Sequence, residues 1–160
     1  ADRIITNLLN ITRARSPNKE PVDVGAMARA VWKRCVYPEG VRFRIELPEE
    51  PFIVQADQGQ LSQVLSNLIG NAADALDEEG DCVLETARES EFDVLIVRDT
   101  GPGWSPEVRN RLFEPLVTTK TSGTGLGLAI CRQIIESHGG TIEATDGIPH
   151  GAAVRIRLPR

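Results

Sequence analysis

The spacing of apolar residues changes several times along the chain, and each change marks an element. Ile4, Ile5, Leu8, Leu9 and Ile11 recur at helical spacing, so residues 1–15 read as one end of an amphipathic helix. Ser16-Pro17-Asn18 breaks that pattern, and Lys19-Glu20-Pro21 continues as a linker. A second amphipathic helix is predicted from about Val24 to Arg34. The period then drops to two. Val41, Phe43, Ile45 and Leu47 alternate with Arg42, Arg44 and Glu46, which predicts a half-buried strand. Phe52 to Ala56 predicts a short strand. Asp57 to Leu76 carries the strongest helical pattern, opening on the capping-box sequence Asp57-Gln58-Gly59-Gln60 and burying Leu61, Leu65, Leu68, Ala72 and Leu76. Asp81 to Glu89 and Phe92 to Asp99 predict paired strands. A short helix near Pro106 to Phe113, a longer one from Gly125 to His138, and a hairpin of Thr141–Thr145 with Ala152–Leu158 complete the series. One-sided helices beside alternating strands predict an α+β fold: a two-layer sandwich with a mixed, mainly antiparallel sheet and helices on one face.

Composition narrows the picture. The 160 residues suffice for one domain with a sizeable core. Only 4% are aromatic, so that core must be built from Val, Ile, Leu and Ala. The net charge is -5 and no basic stripe is present, which excludes nucleic acid as a partner. A polyanionic ligand would have to be held by local groups rather than by the overall field. Cys35, Cys82 and Cys131 are odd in number and widely spaced, and they fit neither a disulfide framework nor a zinc site. They read as reduced thiols of a cytoplasmic protein. No signal-peptide pattern and no long apolar run is present. The first residue is not Met and the pattern opens mid-helix, so the expectation is a piece of a longer protein whose parent could be membrane-anchored.

Four segments carry candidate chemistry. Asn67 and Asn71 stand four apart in the longest predicted helix, with Gln63 and Asp74 extending their polar stripe opposite the leucines. Amide oxygens suit a magnesium ion that already carries phosphates and water, although a solvated helix face has the same look. Asp99-Thr100-Gly101-Pro102-Gly103 follows a strand directly. A carboxylate there needs donors, such as an adenine amino group, and glycines admit a ring close to the backbone; a plain Asp-Gly turn is the alternative. Leu112-Phe113-Glu114-Pro115-Leu116-Val117-Thr118-Thr119-Lys120 places apolar residues in a loop ahead of a lysine. It reads as a lid anchored by Phe113 with Lys120 reaching a phosphate, or as a core Phe and an exposed Lys. Gly123-Thr124-Gly125-Leu126-Gly127-Leu128 runs into a helix, where free amides and the helix dipole favour an anion. It lacks the context of a dinucleotide fingerprint and the Gly-Lys-Ser/Thr of a Walker loop.

In this order and spacing the four segments resemble the N box, first glycine box, F box and second glycine box of sensor histidine kinases. That family shares the Bergerat ATP-binding fold with gyrase, the mismatch-repair ATPases and a heat-shock chaperone. The resemblance covers about residues 22–160, and the short lid with Asn71-Ala72-Ala73-Asp74-Ala75 resembles the nitrogen-regulation and oxygen-sensing branch. It implies that residues 1–16 are the end of a dimerisation and phosphoacceptor hairpin, 17–21 a linker, and 22–160 a catalytic domain that binds ATP and Mg2+. It implies that Asn71 contacts magnesium with Asn67 near the metal and phosphates, and that Asp74 lies beside them. Asp99 receives the adenine amino group while Gly101 and Gly103 shape its pocket. Phe113, Thr119 and Lys120 belong to the lid, with Lys120 approaching the phosphates. Gly123, Thr124, Gly125, Leu126, Gly127 and Leu128 form its hinge and phosphate cradle.

Three functions stay open at this level. A kinase catalytic domain would pass the γ-phosphoryl group of ATP to a histidine on a separate phosphoacceptor domain, with a response regulator downstream. A hydrolysing relative would need a general base four residues before Asn71, where this chain has Asn67, whose amide cannot hold a proton near neutral pH. A catalytically silent nucleotide-binding module is the third. His138, at a predicted helix end, and His150, in a Pro-His-Gly turn, have bland positions, so neither is expected to be an acceptor. The expectation is a monomeric fragment without autophosphorylation, from a homodimeric parent.

Overall fold

The computed structural model describes residues 16–109, 111–114, 127–146 and 150–160. The predicted helix over 1–15 lies outside them. Seven strands and four helices follow one another in the described residues: β1 (Glu20–Asp23), α1 (Val24–Lys33), β2 (Gly40–Glu46), β3 (Ile53–Ala56), α2 (Gln58–Leu76), β4 (Glu79–Arg88), β5 (Phe92–Asp99), α3 (Pro106–Arg109), α4 (Gly127–Ser137), β6 (Thr141–Asp146) and β7 (Ala152–Pro159). β1 and β3 make a small antiparallel sheet. The main sheet has the order β2-β4-β5-β7-β6. Its β2–β4 pair is parallel and the other three pairs are antiparallel. This is the expected mixed, mainly antiparallel sheet, with α1, α2 and α4 covering one face.

Period-two burial sets the two faces apart. Leu84, Leu95, Val97, Val154, Ile156 and Leu158 point toward the helices and are almost fully buried. Leu61, Val64, Leu65, Leu68, Ile69, Ala72 and Leu76 of α2 meet them in one cluster. The opposite face carries cross-strand charges: Arg42 pairs with Asp81 at 2.9 Å, and Arg98 pairs with Glu85 and Glu46. Val83 lies between Arg44 and Arg98 in register and is fully buried although no described helix lies on its face, so the arginine stems shield it.

Three local readings differ from the sequence pattern. Glu20 and Pro21, expected as linker, pair with Ala56 and Gln55 in β1–β3. The helix predicted from Pro106 to Phe113 stops at Arg109, because the Arg111 amide bonds to the Val108 carbonyl at 3.0 Å and the Glu114 amide to Arg111 at 3.1 Å, three residues back rather than four. The capping box is half made. Asp57 Oδ1 accepts from the Gln60 amide at 3.1 Å, but the Gln60 side-chain oxygen is buried without a hydrogen-bond partner. The Asp57 amide donates to His138 Nε2 at 3.0 Å instead.

Candidate functional site

α2 carries the first group of candidate residues. Its apolar stripe faces the sheet and α1, so Asn67, Asn71 and Asp74 lie on the remaining face, the first two half-buried and the third exposed. Asn67 is turned toward α4: its Nδ2 donates to the Gly127 carbonyl at 3.3 Å and to Cys131 Sγ at 3.8 Å. This side chain links α2 to Gly127, the first residue of α4. Burial pushes the Cys131 thiol up from 9.0 to about 12, so it stays protonated. Its Sγ in turn donates to the Val64 carbonyl at 3.9 Å.

Asp99 ends β5 in register with Cys82 of β4 and shares the helix-covered face with Leu95 and Val97. It is only 5% exposed. A carboxylate this deep must be held by donors. Its Oδ1 accepts from the Gly101 amide at 2.9 Å and the Ala152 amide at 3.5 Å. Burial, and then the Asp99 charge, push the Cys82 thiol up to about 12. Thr100 continues the ladder, its amide bonding to Asp81 O and its hydroxyl accepting from the Asp81 amide. A Cβ at Gly101 would stand 3.0 Å from both Asp99 Oδ1 and the Ala75 carbonyl, so bareness there keeps the approach to the carboxylate open. Gly103, with φ +86°, passes close to the Gly151 carbonyl, and Trp104 beyond it donates to Thr145 O at 3.1 Å.

The structure thus joins Asn67 to Gly127, and Asp99 to Gly101. Phe113 and Leu128 are half-buried and pack on the core, so both also serve as anchors. Thr119, Lys120, Gly123, Thr124, Gly125 and Leu126 lie outside the described residues. Three contributors escaped the sequence reading: Cys131, Gly151 and Ala152. Cys131 sits in the apolar stripe of a helix, where a thiol looks like core filling. Gly151 and Ala152 reach Asp99 only through the β5–β7 register, which no local pattern encodes. His138 is 3% exposed, and both ring nitrogens are engaged, Nδ1 with the Ile134 carbonyl at 2.8 Å and Nε2 with the Asp57 amide.

The donor set tests the groups the resemblance implies. Among the described residues no cluster of three His, Cys, Asp or Glu side chains could cage a metal. The amides of Asn67 and Asn71 fit an ion that takes one or two protein oxygens and completes its shell with phosphates and water. The buried Asp99 carboxylate beside bare Gly101 fits a ring amino group.

Residues 56–160 match the family described as histidine kinase-, DNA gyrase B- and HSP90-like ATPase. The sensor histidine kinase ZraS of Salmonella typhi is 44% identical over 99% of this chain, which spans 35% of that relative's length. The catalytic domain of the histidine kinase ThkA superposes with a TM-score of 0.78 at 30% identity, covering 89% of this chain and 95% of that one. ThkA in complex with the response regulator TrrA gives a TM-score of 0.81 at 26% identity, covering 99% and 46%.

Proposed function

The chain belongs to the histidine kinase-, DNA gyrase B- and HSP90-like ATPases, within them to the sensor histidine kinases, and from that premise we propose that it binds ATP with Mg2+ and donates the γ-phosphoryl group to a histidine on a separate phosphoacceptor domain. The observation that carries this reading is the buried Asp99 carboxylate, held by backbone amides at the end of β5 beside a glycine with no side chain. Asp99 accepts the adenine amino group, with Gly101 and Gly103 shaping the slot. Asn71 and Asn67 offer amide oxygens toward the metal, and Asp74 extends the same face. Magnesium, when bound, neutralises charge on the β- and γ-phosphates. Gly127 begins the helix whose N-terminal amides face the anion, and Lys120, Thr119 and residues 123–126 complete the cradle and lid.

In the transfer the γ-phosphorus–oxygen bond breaks and a phosphorus–nitrogen bond forms to the acceptor imidazole. ADP leaves with the bonding electron pair, and the imidazole proton passes to solvent. The chain's part is positioning and charge neutralisation. Hydrolysis is disfavoured because Asn67 spends its amide hydrogens on α4 and has no basic group with which to activate water. Residues 1–16 belong, on this reading, to the acceptor-bearing hairpin, 17–21 to a linker and 22–160 to the catalytic domain. On the same reading the chain is cytoplasmic, its parent, membrane-anchored or not, is a homodimer that serves a response regulator, and this chain alone is a monomer. No described helix is long and apolar enough to cross a membrane.

Calorimetric titration with ATP, with and without Mg2+, tests the reading. The chain should bind in a magnesium-dependent manner, and Asp99→Asn should weaken binding at least about ten-fold by losing a charge-assisted hydrogen bond. Failure of the unaltered chain to bind would reduce the proposal to shared ancestry.

A further inference from the structure

Asn67 has a fixed orientation, and its cause lies on another helix. Its two amide hydrogens meet two acceptors on α4, the Gly127 carbonyl at 3.3 Å and the Cys131 sulfur at 3.8 Å. The amide is planar, so committing Nδ2 to α4 turns Oδ1 away from it. A half-turn of the side chain would put Oδ1 against the Gly127 carbonyl and present N–H groups to the other side. A bare α2 surface would let both states coexist.

Cys131 is well suited to removing that freedom. Its Sγ is fully buried between the two helices, accepting from Asn67 and donating to the Val64 carbonyl one turn earlier in α2. The sulfur accepts from Asn67 while its S–H donates to Val64, so one side chain ties the amide to the backbone of its own helix. Gly127 adds the second restraint: a Cβ there would touch Asn67 Cγ at 3.6 Å, so the amide lies close beside the first residue of α4, whose carbonyl it bonds.

Resting on the magnesium-ATP reading above, we propose that Cys131 is a positioning residue for Asn67, holding the amide so that its oxygen rather than its nitrogen serves the metal end of the site. Cys131 touches neither nucleotide nor metal; it acts through Asn67. Side-chain identity at position 131 therefore sets how strongly magnesium assists nucleotide binding.

The test measures ATP affinity with magnesium and with a chelator, for the unaltered chain, Cys131→Ser and Cys131→Ala, each beside a thermal melt. In Cys131→Ala the ratio of the two affinities should fall about three- to ten-fold, the worth of one hydrogen bond, with magnesium-free affinity held within about two-fold. Cys131→Ser keeps an acceptor and a donor and should restore most of the ratio. An unchanged ratio in Cys131→Ala overturns the proposal. So does a serine variant that matches alanine, because Cys131 would then be packing alone. Should Cys131→Ala melt below the assay temperature, Cys131→Val, which fills the volume without an acceptor, takes its place with the same expected fall. Lack of magnesium-dependent binding by the unaltered chain would instead sink the functional reading itself.

Discussion

At the scale of single residues, Gly151 sets the tightest constraint. Its φ is +99°, and a Cβ there would overlap the Asp99 carbonyl oxygen. Gly151→Ala should therefore cost roughly 2–3 kcal/mol in strain and displacement, and should abolish ATP binding because Ala152 no longer supports the Asp99 carboxylate; urea unfolding and calorimetry read the two effects. The buried thiols give a second expectation. Cys82 and Cys131 are raised from 9.0 to about 12, so their contribution is whole below pH 9.0 and is lost as pH rises toward about 12, where the unfolded chain sheds protons that the folded one keeps. Each thiol should cost up to about 1.4 kcal/mol per pH unit in that window. Unfolding measured at pH 8 and pH 10 should show the decline, and a Cys82→Ala, Cys131→Ala chain should show a flatter one. Asp99 and Gly101 were legible in the sequence because strand, carboxylate and glycine lie together there. Gly151 was not, since a glycine after Pro149-His150 reads as an ordinary turn until the sheet brings it onto Asp99.

At the scale of elements, the start of α2 and the end of α4 share one node. Asp57 caps α2 through Gln60 N, its own amide donates to His138 Nε2, and His138 Nδ1 donates to Ile134 O within α4. The chain ahead of β1 joins the node as well: the Asn18 amide donates to Asp57 Oδ2 at 3.0 Å and Lys19 Nζ to the His138 carbonyl at 3.1 Å. His138→Ala should destabilise by about 2–3 kcal/mol, through a missing acceptor and a small cavity. Lys19→Ala, which removes a single hydrogen bond near the surface, should cost under about 1 kcal/mol, and thermal melts separate the two. Periodicity found α1, α2 and strands β2 to β7 because each repeats a face less exposed than its opposite. β1 escaped because only Val22 is buried in it and Pro21 signals a break, so its existence depends on β3 rather than on its own pattern. The reciprocal half of the capping box failed for a similar reason, a histidine 81 residues away competing for the same amide.

At the scale of the whole molecule, the two histidines differ: His138 is buried with both ring nitrogens engaged, whereas His150 is exposed, so a labelling experiment decides whether it accepts phosphate. Incubated with ATP labelled on its γ-phosphate, the chain should retain no acid-labile label; retention of such label would overturn the expected division between donor and acceptor domains. The layering and mixed sheet followed from sequence pattern, whereas the order of strands did not, since β7 inserts between β5 and β6 by long-range pairing. That insertion has a consequence for biosynthesis. Asp99 is 53 residues ahead of Ala152, the amide that helps hold it. At a ribosomal rate of roughly 5–20 residues per second, about 3 to 10 seconds separate the two. Throughout that interval the nascent chain holds the carboxylate without its support, so cellular ATP meets a competent pocket only after β7 has emerged and slotted home.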